Sequence, residues 1–160
     1  MSVPRGLVKS LRAYRIGDPA GDHPVYSGEG SRMHPGRWNE RGQAVIYASE
    51  HYSTALLETL ARTGEMPPNQ HYVEIDIPAG VTYEVVTKDT LPGWCDVDGA
   101  VARLFGSTWY EEQRSAILIV PSVVARVEHN VLIHPYHDEA RSISVGLETP
   151  VCWDLRLFGQ

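Results

Sequence analysis

At 160 residues, 42% hydrophobic and 21% charged, with neither low-complexity tracts nor repeats of solenoid length, the chain has the size and composition of one compact domain. A net charge of −6 argues against a general nucleic-acid binder, and the longest apolar stretch, residues 116–125, is too short to span a bilayer and is interrupted by Pro121. The first fifteen residues carry basic side chains without an apolar core, so no secretory signal is expected and the cytoplasm is the default location.

In chain order, LRAYRIG at 11–17 reads as a first strand, stopped by Gly17-Asp18-Pro19. A loop rich in Gly, His, Pro and Ser runs from there to Gly36. The run AVIYAS at 44–49 suits a buried strand, and Ser49 is placed to cap the helix that follows. That helix, about 51–62, sets Leu56, Leu57 and Leu60 on one apolar stripe and ends at Gly64, with Pro67-Pro68 forbidding continuation. HYVEIDIP at 71–78 alternates as a half-buried strand does, and VTYEVV at 81–86 predicts another. Residues 96–113 predict a helix followed by a shorter one. SAILIVPS at 115–122 is the most apolar strand, and NVLIHP at 130–135 and VCWDLRLF at 151–158 supply two more. Five to seven short strands with two or three helices predict a single α+β domain around a mixed sheet of sandwich type.

Charge is unevenly spread. Residues 1–41 hold seven of the fourteen basic residues (Arg5, Lys9, Arg12, Arg15, Arg32, Arg37, Arg41) against four acids, a local +3, while the remainder is −9. Twelve of the fourteen bases are Arg, whose planar fork suits carboxylate or phosphate, so the pattern predicts an anion-attracting region near the N-terminus. His129, His134 and His137 fall within nine residues, yet Pro135 removes the helix that would set two rings on one face and no paired cysteines accompany them, so no metal is expected. Cys95 and Cys152 lack metal-ligand spacing and read as free thiols. Ser115 and Ser122 sit in no nucleophile elbow, and Glu111-Glu112, adjacent on a helix, point apart.

Arg37, Tyr47 and Glu58 remain. Taken alone, Glu58 reads as a helix-surface carboxylate paired at i,i+4 with Arg62, worth about 0.3–0.5 kcal/mol. Taken together, the three come from a loop, the strand after it and the helix after that, a unit that brings such positions to one cleft mouth.

At these residues the sequence resembles the RES-domain family, the toxin component of bacterial RES–Xre toxin–antitoxin modules. The matching pieces are YRIG at 14–17, GEGSRMHPGRWNERGQAVIYAS at 28–49, ALLE at 55–58, ILIVPSVV at 117–124, NVLIHP at 130–135 and the terminal WDLRLF, in family order. His134 stands where the family more often has Asn before Pro. The resemblance implies a RES domain over 1–160, a mixed-sheet core of ADP-ribosyltransferase-like type, and an enzyme that degrades NAD by hydrolysis or phosphorolysis of the nicotinamide–ribose bond. Transfer of ADP-ribose to a protein is the alternative it leaves open; a non-catalytic anion-binding module is the third reading. NAD enters as substrate, with no other cofactor implied. Carried over residue by residue, Glu58, Arg37 and Tyr47 are the implied catalytic residues, and Arg15, Arg37, Tyr47 and Ser122 the implied NAD contacts. The implied partner is an Xre-type antitoxin that blocks the active site.

Overall fold

The computed structural model describes residues 4–159; the outermost residues of the 1–160 assignment lie outside them. One mixed sheet of nine strands forms the centre, in the order β1 (Arg5–Gly6), β5 (Thr82–Val85), β6 (Ile117–Pro121), β7 (His129–Ile133), β3 (Ile46–Ser49), β2 (Leu11–Gly17), β4 (His71–Ile77) and β8 (Ser144–Val145), with β9 (Thr149–Pro150) also on β4. Only β5 and β6 run parallel; the other pairs are antiparallel. The strands thus form one continuous curled sheet, and the sandwich expected from sequence is approximated by that curl, which brings the β2–β4 and β6–β7 portions onto a shared core, and not by two separate sheets. Its helices are α1 (Glu29–Met33), α2 (Tyr52–Thr63) and α3 (Ala100–Glu112), with 3-10 turns at Asp138–Ser142 and Leu155–Phe158. No helix among the described residues is long and apolar enough to cross a membrane.

Both faces of the sheet centre are covered, which is why β6 is apolar throughout. Ile117, Val131 and Ile133 join Ala13, Val73, Ile75 and Ile77 in one core. Leu118, Val120 and Leu132 alternate to the other face, where α3 brings Ala102 and Trp109 against Trp38, Val45 and Trp94.

Four expectations change. Residues 96–113 hold one helix: Gly106 marks a close crossing, since a Cβ there would collide with the Trp38 carbonyl. The segment 151–158 contains no strand; the Asp154 side chain accepts from the Arg156 N–H and starts a 3-10 turn instead. The expected loop to Gly36 contains α1, and three strands of two residues each are too short to leave a pattern. Finally, α2 buries Thr54, Ala55 and Thr59 and leaves Leu57 42% exposed. Its inner face is small because it lies on β2 and β3 beside open space. Its C-terminus follows the sequence, with Gly64 in the left-handed conformation at φ 72°.

The join between β2 and β3 prepares the site. β2 pairs with β4 along all seven residues but meets β3 at one residue pair, Tyr14 with Ser49. Beyond that point the two strands separate, and the Arg15 guanidinium fills the fork, donating to the carbonyls of Tyr47 (2.8 Å) and Val25.

Candidate active site

A cavity of about 740 Å³ opens over this divergence, lined by Arg15, Arg37, Tyr47, Glu58, Arg62 and Asn130 among others. Four of the five residues singled out from sequence therefore share one space. The fifth, Ser122, is fully buried behind it and touches the cavity only through Glu58.

Glu58 is held by two side-chain donors. Its Oε1 accepts hydrogen bonds from Ser122 Oγ (2.7 Å) and Asn130 Nδ2 (2.8 Å). Ser122 Oγ accepts in turn from the Ala125 N–H (3.0 Å), and Asn130 Oδ1 accepts from Ser49 Oγ (2.7 Å). Ser49, expected to cap α2, is thus engaged across the β3–β7 pairing, and α2 begins at His51 with no side-chain cap. The expected i,i+4 pair is not made: among the described residues Glu58 forms no ion pair with Arg62, and its Oε2 has no hydrogen-bond partner.

The cations are held by neutral groups. Arg37 Nη1 donates to the carbonyls of Asp96 (2.8 Å) and Trp94 (3.2 Å), which aims the guanidinium from the loop before α3. Burial, with the neighbouring charge of Arg62 adding to it, pushes Arg15 down to about 10, so it stays cationic at neutral pH. Arg62 at the end of α2 is the third arginine of the cavity. The basic segment 1–41 does not form one surface. Arg12 pairs outside with Asp76 (3.2 Å), Arg32 pairs with Glu29 (2.7 Å), and only Arg15 and Arg37 reach the cavity.

Tyr47 is placed differently from a free stacking ring. Its hydroxyl accepts from the Trp38 N–H (3.0 Å) and donates to Asn39 Oδ1 (2.7 Å), and burial raises its pKa above the ordinary value. Gly36 lies over the ring so closely that a Cβ would stand 2.8 Å from the nearest ring carbon. Tyr47 therefore pins the 36–39 turn that carries Arg37, and presents only part of its ring to the cavity.

The histidines disperse. His134 is buried, stacked on Tyr110 at 4.1 Å; its Nδ1 accepts from the Tyr136 N–H, which leaves Nε2 to donate to the Tyr110 carbonyl. His129 faces Glu50 and His51 faces Glu128, while His137 Nδ1 accepts from the Glu139 N–H. No group of three or more His, Cys, Asp or Glu side chains that could hold a metal ion occurs among the described residues. Cys95 and Cys152 are both free.

Asn130, Ser49 and the cavity role of Arg62 escape sequence reasoning. NVLIHP is legible as a strand, but nothing in its spacing says that its first residue faces a helix carboxylate 72 positions earlier.

Comparison with known proteins bears on the family and the fold. A family model described as the RES domain matches residues 12–154. A protein of Sphingobium sp. (strain YBL2) named "Prs ADP-ribosylating toxin" is 43% identical over 138 residues, 82% of this chain and 86% of that one. A "Toxin Res" of Photorhabdus laumondii is 33% identical over 115 residues, covering 69% and 73%. Among solved structures, a chain of the M. tuberculosis MbcT–MbcA toxin–antitoxin complex matches with a TM-score of 0.73 over 91% of this chain and 87% of that one. At 14% identity that likeness concerns the fold.

Proposed function

The chain belongs to the RES-domain family, and from that membership we propose that it is the toxin of a toxin–antitoxin pair, acting by cleavage of the nicotinamide–ribose bond of NAD. The observation that carries the reading is the Glu58 carboxylate, which lines a cavity with three arginines and is fixed through one oxygen by Ser122 and Asn130, the other oxygen having no hydrogen-bond partner among the described residues.

The chemistry asks for little more. When the bond between the ribose C1′ and the nicotinamide nitrogen breaks, its electron pair leaves with the ring, which was a cation and departs neutral. No general acid is needed for the leaving group. Positive charge develops on the ribose, and an ionised Glu58 stabilises it while accepting a hydrogen bond from a ribose hydroxyl. Arg15, Arg37 and Arg62 offset the charge of the pyrophosphate. Water then adds to C1′ through its oxygen and releases a proton to solvent, or a phosphate oxyanion adds with no proton to lose, completing the degradation.

A second reading places a protein side chain as the acceptor. It is favoured by the name of the 43%-identical relative and shares every step up to nicotinamide departure. Incubation of purified protein with adenine-labelled NAD, with and without phosphate and with a bacterial extract, separates them. Label in ADP-ribose or its 1″-phosphate supports degradation; label retained on protein supports transfer; intact NAD in every arm rejects both. The partner reading follows the same geometry: an acidic segment or terminal carboxylate of an Xre-type antitoxin would occupy the arginine-lined cavity and compete with NAD. An antitoxin whose C-terminal truncation still inhibits fully rules that arrangement out.

A further inference from the structure

We propose that Asn130, oriented by Ser49, is a positioning residue that fixes the orientation in which the Glu58 carboxylate meets the substrate. The proposal rests on the NAD reading above for its catalytic consequence, but its structural half stands on hydrogen-bond polarity alone.

A glutamate carboxylate turns about a soft, roughly two-fold terminal torsion, so a single donor does not hold it. Here two donors converge on the same oxygen from neighbouring strands: Ser122, just past the end of β6, at 2.7 Å, and Asn130 from β7, at 2.8 Å. Each donor has only one usable direction. Ser122 Oγ already accepts the Ala125 N–H, so its own proton goes to Glu58. An ionised carboxylate only accepts, so the Asn130 amide must face it with Nδ2 and turn Oδ1 away. Oδ1 then meets Ser49 Oγ at 2.7 Å, a hydroxyl only 3% exposed that supplies the donor this orientation needs. Rotating the amide by half a turn would set its oxygen against the carboxylate. Ser49 and Asn130 are direct partners in the β3–β7 register, so the relay is built into the sheet and does not depend on a loop. The remaining oxygen, Oε2, is the one without a partner among the described residues. Ser49 stands at the single point where β2 and β3 still touch, which places the relay at the apex of the cavity.

Two consequences separate this role from simple packing. Asn130 acts through Glu58, so its loss lowers kcat with little change in KM for NAD, and it has no further effect once Glu58 is gone. Misplacing a reacting group by a fraction of an ångström to an ångström costs up to about 10²-fold in rate. For Asn130→Leu a fall in kcat of that order is expected, and for Ser49→Ala a smaller fall in the same direction.

The test uses five proteins with unchanged circular dichroism spectra: the parent, Asn130→Leu, Ser49→Ala, Glu58→Gln and Asn130→Leu combined with Glu58→Gln. Nicotinamide release gives kcat and KM, and the Asn130 side-chain amide is followed by ¹H–¹⁵N NMR in the parent, Ser49→Ala and Glu58→Gln. The proposal expects kcat losses that vanish in the Glu58→Gln background, and an Asn130 amide resonance displaced by both Ser49→Ala and Glu58→Gln. Parent-level kcat in Asn130→Leu, or additive losses in the double variant, overturns it. Should Asn130→Leu fail to fold, Ser49→Ala and the amide resonance decide alone: an amide unmoved by either substitution overturns the relay. A parent that releases no nicotinamide while the amide responds as expected defeats the NAD reading and leaves the clamp standing.

Discussion

Glu84 and Glu58 carry the same carboxylate into opposite settings. Glu84 on β5 is 3% exposed and meets Arg114 Nε at 2.9 Å, in an ion pair that a cation–π contact from Arg114 to Phe105 closes on its other side. Glu58 is gripped as closely, but by a hydroxyl and an amide. A carboxylate matched by a cation spends its charge inside the protein. One matched by neutral donors is oriented without being neutralised, and its field stays available to whatever enters the cavity. The same contrast divides the arginines: Arg12 and Arg32 face carboxylates, whereas Arg15 and Arg37 are held by backbone carbonyls and keep their charge for a ligand.

The largest expected effect tests the open side of this contrast. Glu58→Gln removes the charge and keeps the shape, so NAD turnover falls by about 10²–10³-fold or more, on the scale seen when a transition-state partner is lost, while the melting temperature holds. The closed side is tested by Arg114→Ala. Withdrawing one partner of a buried pair costs about 3–5 kcal/mol, so a denaturant titration should show a markedly lower midpoint, with turnover per folded molecule preserved. A smaller effect belongs to Arg37→Lys: charge is kept, but the planar fork, which gives Nη1 to the Asp96 and Trp94 carbonyls and leaves its other N–H groups for a phosphate, is not. Calorimetry should give NAD affinity about tenfold weaker, and equal affinity removes Arg37 from the pyrophosphate site.

The smallest effect concerns His134, which burial holds below its ordinary pKa of 6.5. The folded protein then binds fewer protons than the unfolded chain below about pH 6.5. This contribution to stability is complete above that pH and is lost as pH falls toward the depressed folded value. His134→Asn removes the group, so melting temperature should fall less between pH 7.5 and pH 5 in the variant than in the parent. Identical slopes would remove His134 from the pH response.

Much of this was legible in the sequence because periodicity reports burial. LRAYRIG, HYVEIDI and the 117–121 run became strands within a residue or two, and Gly64 ended α2 as expected. The pattern failed where packing overruled it. Leu57 looked like core and is exposed because the inner face of α2 must stay small beside the cavity, and the two helices expected over 96–113 are one because Gly106 lets α3 cross Trp38, a contact distant in sequence. Arg15, Arg37, Tyr47 and Glu58 were found through their resemblance to the family motifs, and the structure brings them to one space. Ser49 and Asn130 were not, since a hydrogen-bond relay between paired strands leaves no spacing in either.

The account's central claim is that Glu58 acts on the charge that develops as nicotinamide leaves, and not on holding NAD. Titrating NAD into Glu58→Gln by calorimetry, with free nicotinamide measured in the same cell, tests it most directly. The account predicts binding within a few-fold of the parent's affinity and nicotinamide release slowed by about 10²–10³-fold; release within a few-fold of the parent's rate would contradict it.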